Sequence, residues 1–199
     1  MTGTVTLRPW ERRIVRNPWF RRNYSRIRVR GGYLLAAALL LAADQPLWPA
    51  GLVITSLGLL IRIWAAGYLV KNKELSTMGP YGVVRHPLYL GSFLIGLGLT
   101  SAVGSCVLTA VYLVSFGIIY HLTMLVEETR MEKLFPDQYQ IFHNSTGRLM
   151  PRLDAFRRVT WRSWRPANLV KNREYRQILG SLAILVLLLL RQQFLPPLP

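Results

Sequence analysis

The chain has 199 residues, 51% of them hydrophobic and 17% charged, with a formal net charge of +16 at pH 7. Its apolar residues are clustered into long runs, which excludes an ordinary soluble domain, and its single cysteine, Cys106, excludes an internal disulfide. The basic excess raises nucleic acid as a partner, but nine arginines precede Gly31, three basic residues lie in 71–86 and eleven in 127–176, leaving only Arg62 and Arg191 elsewhere; blocks of this kind, set between apolar runs, point to anionic lipid headgroups instead.

Residues 1–30 form a basic arm, in which Asn17-Pro18-Trp19-Phe20 suits headgroup level. A leading region of this length is too long for a signal peptide, so a retained first helix is expected. The first apolar run, Gly31–Ala43, and the last, Ile178–Leu190, have 13 residues each; Arg30, Tyr33, Tyr175 and Arg191 at their ends extend both to crossing length. Ala50–Val70 has 21 residues and spans about 31 Å as a helix. Leu88–Val126 has 39 residues and no Asp, Glu, Lys or Arg, which suits two crossings reversing at Gly104-Ser105. Five crossings place all three basic segments on one side, the positive-inside pattern, so the N-terminus and the 71–86 and 127–176 segments are expected in the cytoplasm.

Helical pattern continues past the fourth crossing through Glu127–Leu134 until Pro136, and a turn follows at Thr146-Gly147. Asn144-Ser145-Thr146 reads as a polar turn rather than a glycosylated sequon. Residues 152–173 are basic, with Trp161 and Trp164 as interface anchors. The expected fold is all-α, a polytopic integral membrane bundle of about five transmembrane helices. It divides into the arm at 1–30, a core at 31–151, and a basic segment plus last helix at 152–199.

Polar chemistry concentrates at one membrane boundary. In Gly79–Gly91, GPYGVVRHPLYLG, Gly79-Pro80 signals a turn and Pro87 a helix start, with Arg85 and His86 just ahead of it. A helix start with an arginine and a histidine beside it suits an anionic group such as a carboxylate. The third and fourth crossings are antiparallel neighbours, so Glu127 and Glu128 return to the same end. The combination suits a zwitterion held at both ends; a capping histidine and a solvated acidic pair is the plainer alternative. Arg62 lies about 13 Å below the end of its run, where an unpaired charge costs about 2.5–3.5 kcal/mol, so it needs a partner. Interhelical carbonyls and a substrate pocket both meet that need. His121 and His143 are read as structural, and no metal-ligand spacing is present.

GPYGVVRHPLYLG, followed by Glu127-Glu128, Met131, Phe135, Tyr139 and the GRLMP at 147–151, resembles the isoprenylcysteine carboxyl methyltransferase family, integral membrane enzymes related to phospholipid methyltransferases. Arg62, Trp64, Gly67, Lys71 and KELSTMGPY extend the resemblance over about residues 50–151. It implies an S-adenosylmethionine site on the cytoplasmic side: Lys73, Glu74, Leu75 and Ser76 along the cofactor, Tyr81 packed against it, His86, Pro87, Leu88 and Tyr89 at the helix start, and Glu127 as the acidic contact. The zwitterionic end of that cofactor matches the physical reading, with its carboxylate at His86 and its ammonium at Glu127. The family's substrate-binding arginine, four residues before Glu127, is replaced here by Thr123; Arg62, Arg85 or Arg148 must then supply that charge if the substrate is an acid.

The implied activity is methyl transfer from S-adenosylmethionine to a lipophilic acceptor entering from the bilayer, either the carboxylate of a prenylcysteine-like compound or a lipid headgroup amine. Arg62, Thr123 and Arg148 are the substrate-binding candidates. If an amine needs a proton acceptor, Glu128 and Tyr89 are the candidates. Neither a metal nor a covalent intermediate is required. An NADPH-dependent membrane reductase of the sterol type and a non-catalytic membrane scaffold are the competing readings.

Overall fold

A computed structural model describes residues 5, 7–70, 74–151 and 164–194. Lys71, Lys73 and Trp161 lie outside the described residues, as does all of the basic tail segment before Trp164. The described elements are helices α1 (Pro9–Arg16), α2 (Pro18–Ala42) and α3 (Pro49–Tyr68), a 3₁₀ turn at Gly79–Gly82, then α4 (Pro87–Val103), α5 (Cys106–Leu134), α6 (Pro136–Ser145), α7 (Pro166–Lys171) and α8 (Tyr175–Phe194). Helices α1 to α4, α6 and α7 all begin on proline, whose absent N–H costs nothing in a first turn.

Helices α3, α5 and α8 are long and apolar enough to cross a membrane, and α4, with 17 residues, is a shorter apolar helix spanning about 25 Å. The chain is therefore an all-α membrane bundle. Outward-facing apolar side chains agree: Val107, Val111 and Val114 on α5 and Leu179, Val186 and Leu190 on α8 are exposed. Helix α2 runs unbroken from Pro18, started by the Asn17 side chain, which accepts from the Trp19 amide at 2.8 Å. The second part of the basic arm, from Pro18, and the first apolar run thus share one helix.

The α3–α4 pair is the frame of the bundle, and small residues let its backbones meet. Gly51, Thr55 and Gly58 on α3 face Gly91, Gly98 and Ala102 on α4; a Cβ on Gly58 would stand 2.7 Å from the Ile95 amide nitrogen, and one on Gly51 2.3 Å from that of Ala102. In a membrane, where burial of apolar surface does not drive helices together, such close packing is the main attraction. Gly104, at φ 77°, closes α4 in the left-handed conformation and Ser105 caps α5, so the expected reversal falls on those two residues.

Helix α7 and the turn after it seal the polar end of α3. The Arg165 amide and the Asn168 side-chain amide both donate to the Gly67 carbonyl, at 3.1 and 2.8 Å, and the Asn172 side chain donates to that of Leu69 at 2.7 Å. These bonds satisfy carbonyls that a helix end leaves open. Trp164 packs so close that a Cβ on Gly67 would lie 2.0 Å from its indole nitrogen. At the opposite end of the bundle, Arg191 of α8 pairs with Asp44 at 2.6 Å.

Candidate functional site

The loop before α4 and the strand-like stretch after α6 are stitched together. Val84 and Gly147 form a parallel bridge, the Arg85 amide donates to the Gly147 carbonyl at 2.8 Å, and the His86 amide donates to that of Arg148 at 3.2 Å. The two motifs carrying the resemblance, far apart in sequence, are therefore one surface. The end of α5 lies against it.

Glu128 is the hub of that surface and is 1% exposed. Its carboxylate accepts from Arg148 Nε at 3.0 Å and Arg85 Nε at 3.2 Å, pairs with the second Arg148 nitrogen at 2.5 Å, and lies 3.2 Å from His86 Nε2. Arg85 also donates to the carbonyls of His143 and Thr146. Two guanidinium groups and an imidazole converging on one buried carboxylate make a structural staple, because a buried charge is tolerated only when it is paired and hydrogen-bonded.

Glu127 is placed differently. Its side chain is 34% exposed, it accepts a hydrogen bond from the Tyr89 hydroxyl, and its other oxygen lies 3.9 Å from His86 Nδ1. Among the described residues no arginine or lysine stands within ion-pair distance of it. The imidazole of His86 thus sits between the two carboxylates and stacks on the Tyr89 ring at 5.5 Å. Tyr120, two turns before Glu127 on α5, meets Tyr89 edge-on at 5.2 Å, and the Arg28 guanidinium of α2 lies 5.1 Å from the Tyr89 ring centre and 5.8 Å from that of Tyr120. At the start of α4 the amides of Tyr89 and Leu90 both donate to the His86 carbonyl, and Pro87 is fully buried.

Tyr81 is buried with Ala65, Tyr68, Tyr139 and Phe142. Its hydroxyl is enclosed and has no hydrogen-bond partner among the described residues. Burial holds this phenol well above its ordinary range, with the charges of Glu174 and Glu127 pushing it further and Arg62 opposing. Ser76 is anchored by donating to the Tyr68 carbonyl at 3.1 Å, Leu75 packs against the Tyr81 cluster, and Glu74 is exposed.

Arg62 finds the partners its depth demands. Helix α3 ends at Tyr68, so Arg62 lies about 9 Å below that end. It donates to the Leu88 carbonyl at 2.9 Å and to the Ser92 hydroxyl, and pairs with Glu174 at 2.7 Å, both side chains being 9% exposed. Thr123 is fully buried and its hydroxyl donates to the Ile119 carbonyl of its own helix at 2.7 Å. His121 pairs with the buried Glu11 of α1 at 2.8 Å.

The structure thus brings Tyr81, His86, Pro87, Leu88, Tyr89 and Glu127 to one end of the α3–α4–α5 bundle, with Arg62 and Arg148 bordering it through Leu88 and Glu128. Sequence reasoning left out Glu174, Tyr120 and Arg28. A seven-residue spacing to Glu127 marks Tyr120, and Glu174 is the one acidic residue after Asp154 in a basic tail. Nothing local to Arg28 marks it. Among the described residues no group of three or more His, Cys, Asp or Glu is placed to hold a metal ion.

A sequence model of the family described as phospholipid methyltransferase matches residues 34–138, from the apolar half of α2 into α6. The cobalt-zinc-cadmium resistance protein CzcN of Cupriavidus metallidurans is 34% identical over 114 residues, covering 56% of this chain and 52% of that protein. The nickel-cobalt-cadmium resistance protein NccN of Alcaligenes xylosoxydans xylosoxydans is 34% identical over 98 residues, covering 48% of this chain and 46% of that one. The chain therefore spans about half the length of the curated relatives it matches. No solved structure matches it.

Proposed function

Because the chain belongs to the phospholipid methyltransferase family, a family of membrane methyltransferases, we propose that it transfers a methyl group from S-adenosylmethionine to a lipophilic acceptor held at the membrane boundary. The observation that carries this reading is the split between two adjacent carboxylates: Glu128 is consumed by Arg85 and Arg148, whereas Glu127, one residue away, stays accessible beside His86. An accessible carboxylate beside an imidazole and a helix start suits the ammonium and carboxylate of an amino acid moiety. The buried ring of Tyr81 backs the loop that leads to His86. These residues fit the methionine end of S-adenosylmethionine. Glu74, Leu75 and Ser76 are assigned to the remainder of the cofactor in this reading.

When bound, the cofactor supplies an already activated methyl group on a sulfonium. The chain's own task is then to orient and to exclude water. Glu127 holds the ammonium, and the Tyr89 hydroxyl fixes the orientation of that carboxylate. His86, tied to Glu128 through Nε2, turns Nδ1 toward the site. Glu128, already engaged by two arginines, is a poor proton acceptor, and the Tyr89 hydroxyl is already committed as a donor to Glu127. The arrangement favours an acceptor that reacts without a protein base. The basic excess in the sequence at 71–86 and 127–176 supports a cytoplasmic side for the site.

Calorimetric titration of the purified chain in detergent with S-adenosylhomocysteine tests the proposal. Saturable binding, weakened at least about tenfold by Glu127→Gln through loss of a charge-assisted contact, is the expected result. Absence of that binding together with binding of NADPH would reject it in favour of a reductase.

A further inference from the structure

Arginines gather at the site end of the bundle, and most are already committed. Arg62 is tied to Glu174, and Arg85 and Arg148 to Glu128. Arg28 is not: among the described residues no carboxylate lies within ion-pair distance of it, and its buried Nε has no hydrogen-bond partner. Its guanidinium is held instead by three rings, lying 5.7, 5.1 and 5.8 Å from the centres of Tyr24, Tyr89 and Tyr120. Aromatic faces stabilise the positive charge without using any of its N–H donors. A planar fork so held, half-buried and uncommitted, is preorganised for bidentate binding of an oxyanion.

Its position gives that capacity a purpose. Tyr89 donates to Glu127, so Arg28 sits one side chain away from the carboxylate assigned above to the methyl donor. It reaches the site from α2, before the stretch that the family match covers. Helices α2 and α5 both expose apolar side chains along their length, Leu34 and Leu41 on one and Val111 and Val114 on the other, so an amphiphile approaching from the hydrocarbon would meet Arg28 at the boundary. Thr123, by contrast, has turned its hydroxyl into its own helix.

We propose that Arg28 is the specificity-determining residue for the acceptor, binding a carboxylate or phosphate oxyanion on a lipophilic molecule seated beside Tyr89 and Tyr120. The acceptor is thereby assigned to acidic amphiphiles, which rests on the methyltransferase reading for its catalytic meaning but not for the binding itself. Glu127 would repel such a ligand while its own charge is unpaired. Occupation of Glu127 by an ammonium removes that repulsion, so donor and acceptor should bind with positive coupling.

The test uses the full chain in a neutral maltoside detergent and three amphiphiles with the same tail: dodecyl phosphate, dodecanoate and dodecyltrimethylammonium. The wild type should bind at least one of the two anions about tenfold or more tighter than the cation, and which anion is preferred identifies the oxyanion. Arg28→Gln should bring all three to within about threefold of each other, Arg28→Lys should retain part of the preference, and Arg26→Gln on the same helix should retain all of it, separating a specific site from bulk positive charge. An unchanged midpoint of thermal unfolding, followed by helical circular dichroism, shows that Arg28→Gln is folded. An undiminished anion preference in Arg28→Gln would overturn the assignment. So would tighter binding of trimethylammonium by that variant, which would make the tyrosines a cation cage that Arg28 merely fills. If wild type binds no S-adenosylhomocysteine yet shows the Arg28-dependent preference, the methyltransferase reading fails and the oxyanion site stands.

Discussion

Glu174→Ala should be among the most damaging single substitutions in the chain, although Glu174 lies outside both sequence motifs. Among the described residues it would leave Arg62 buried within α3 with the Leu88 carbonyl and the Ser92 hydroxyl, both uncharged, in place of a carboxylate at 2.7 Å. Removing one partner of a buried ion pair costs about 3–5 kcal/mol, because the other charge stays desolvated. For a chain of this size about 2–4 °C accompanies each kcal/mol, so the midpoint of thermal unfolding in detergent should fall by roughly 6–20 °C. Arg62→Met removes the other half of the pair and should destabilise the chain as well. The double variant Arg62→Met with Glu174→Leu should recover most of the loss, since apolar replacement of a whole buried pair is often neutral. Thermal unfolding of the four proteins, followed by loss of helical circular dichroism, compares the losses. A drop below about 1 kcal/mol for Glu174→Ala, or a double variant no better than either single one, would refute the view that this pair locks the tail onto α3.

Other expectations follow from the same structure. Gly58→Ala places a Cβ 2.7 Å from the Ile95 amide nitrogen and 2.8 Å from the Gly91 carbonyl, both backbone atoms that cannot swing away, and should cost about 1–3 kcal/mol where Gly117→Ala, facing open space, costs little; detergent melting of the two variants compares them. His86→Ala should weaken S-adenosylhomocysteine binding and also loosen the Glu128 staple, whereas Glu127→Gln should weaken binding alone, so melting temperature and affinity measured together separate the roles of the two residues. Glu11 is held below its ordinary value of 4.5, chiefly by its hydrogen bond with His121 and next by the Arg8 amide. Its stabilising effect is therefore complete above that unfolded value and lost as pH falls through the lower folded one. Helix α1 should leave α5 in that acidic window, reported by Trp10 fluorescence in a chain whose other tryptophans are phenylalanine; an identical acid transition in Glu11→Gln would remove Glu11 as the cause.

Much of this arrangement is legible in the sequence because the signals are local. Pro49, Pro87 and Pro136 start helices, and Gly104-Ser105 turns the chain, each for reasons contained within a few residues. The antiparallel α4–α5 pair follows from that turn and brings Glu127 to the same end as His86 without further information. What stayed hidden depends on contacts between distant segments. The depth of Arg62 shows that it needs a counter-charge, yet Glu174 lies 112 residues away across the tail. The two carboxylates look alike as Glu127-Glu128; only the helical rotation between them, set by how α5 packs, turns one toward Arg85 and Arg148 and leaves the other open. Arg28 is one of nine arginines before Gly31, and the side of α2 that meets Tyr89 is fixed by packing rather than by any pattern in the arm.

The central claim is methyl transfer at this membrane boundary, and the most direct measurement is incubation of membranes carrying the chain with methyl-labelled S-adenosylmethionine, followed by separation of lipid from protein. Label should enter extractable amphiphiles with the wild type and fall to background with Glu127→Gln, and release of that label by mild base would mark a methyl ester on an acidic acceptor. Incorporation no greater than in membranes lacking the chain, or undiminished by Glu127→Gln, would contradict the account.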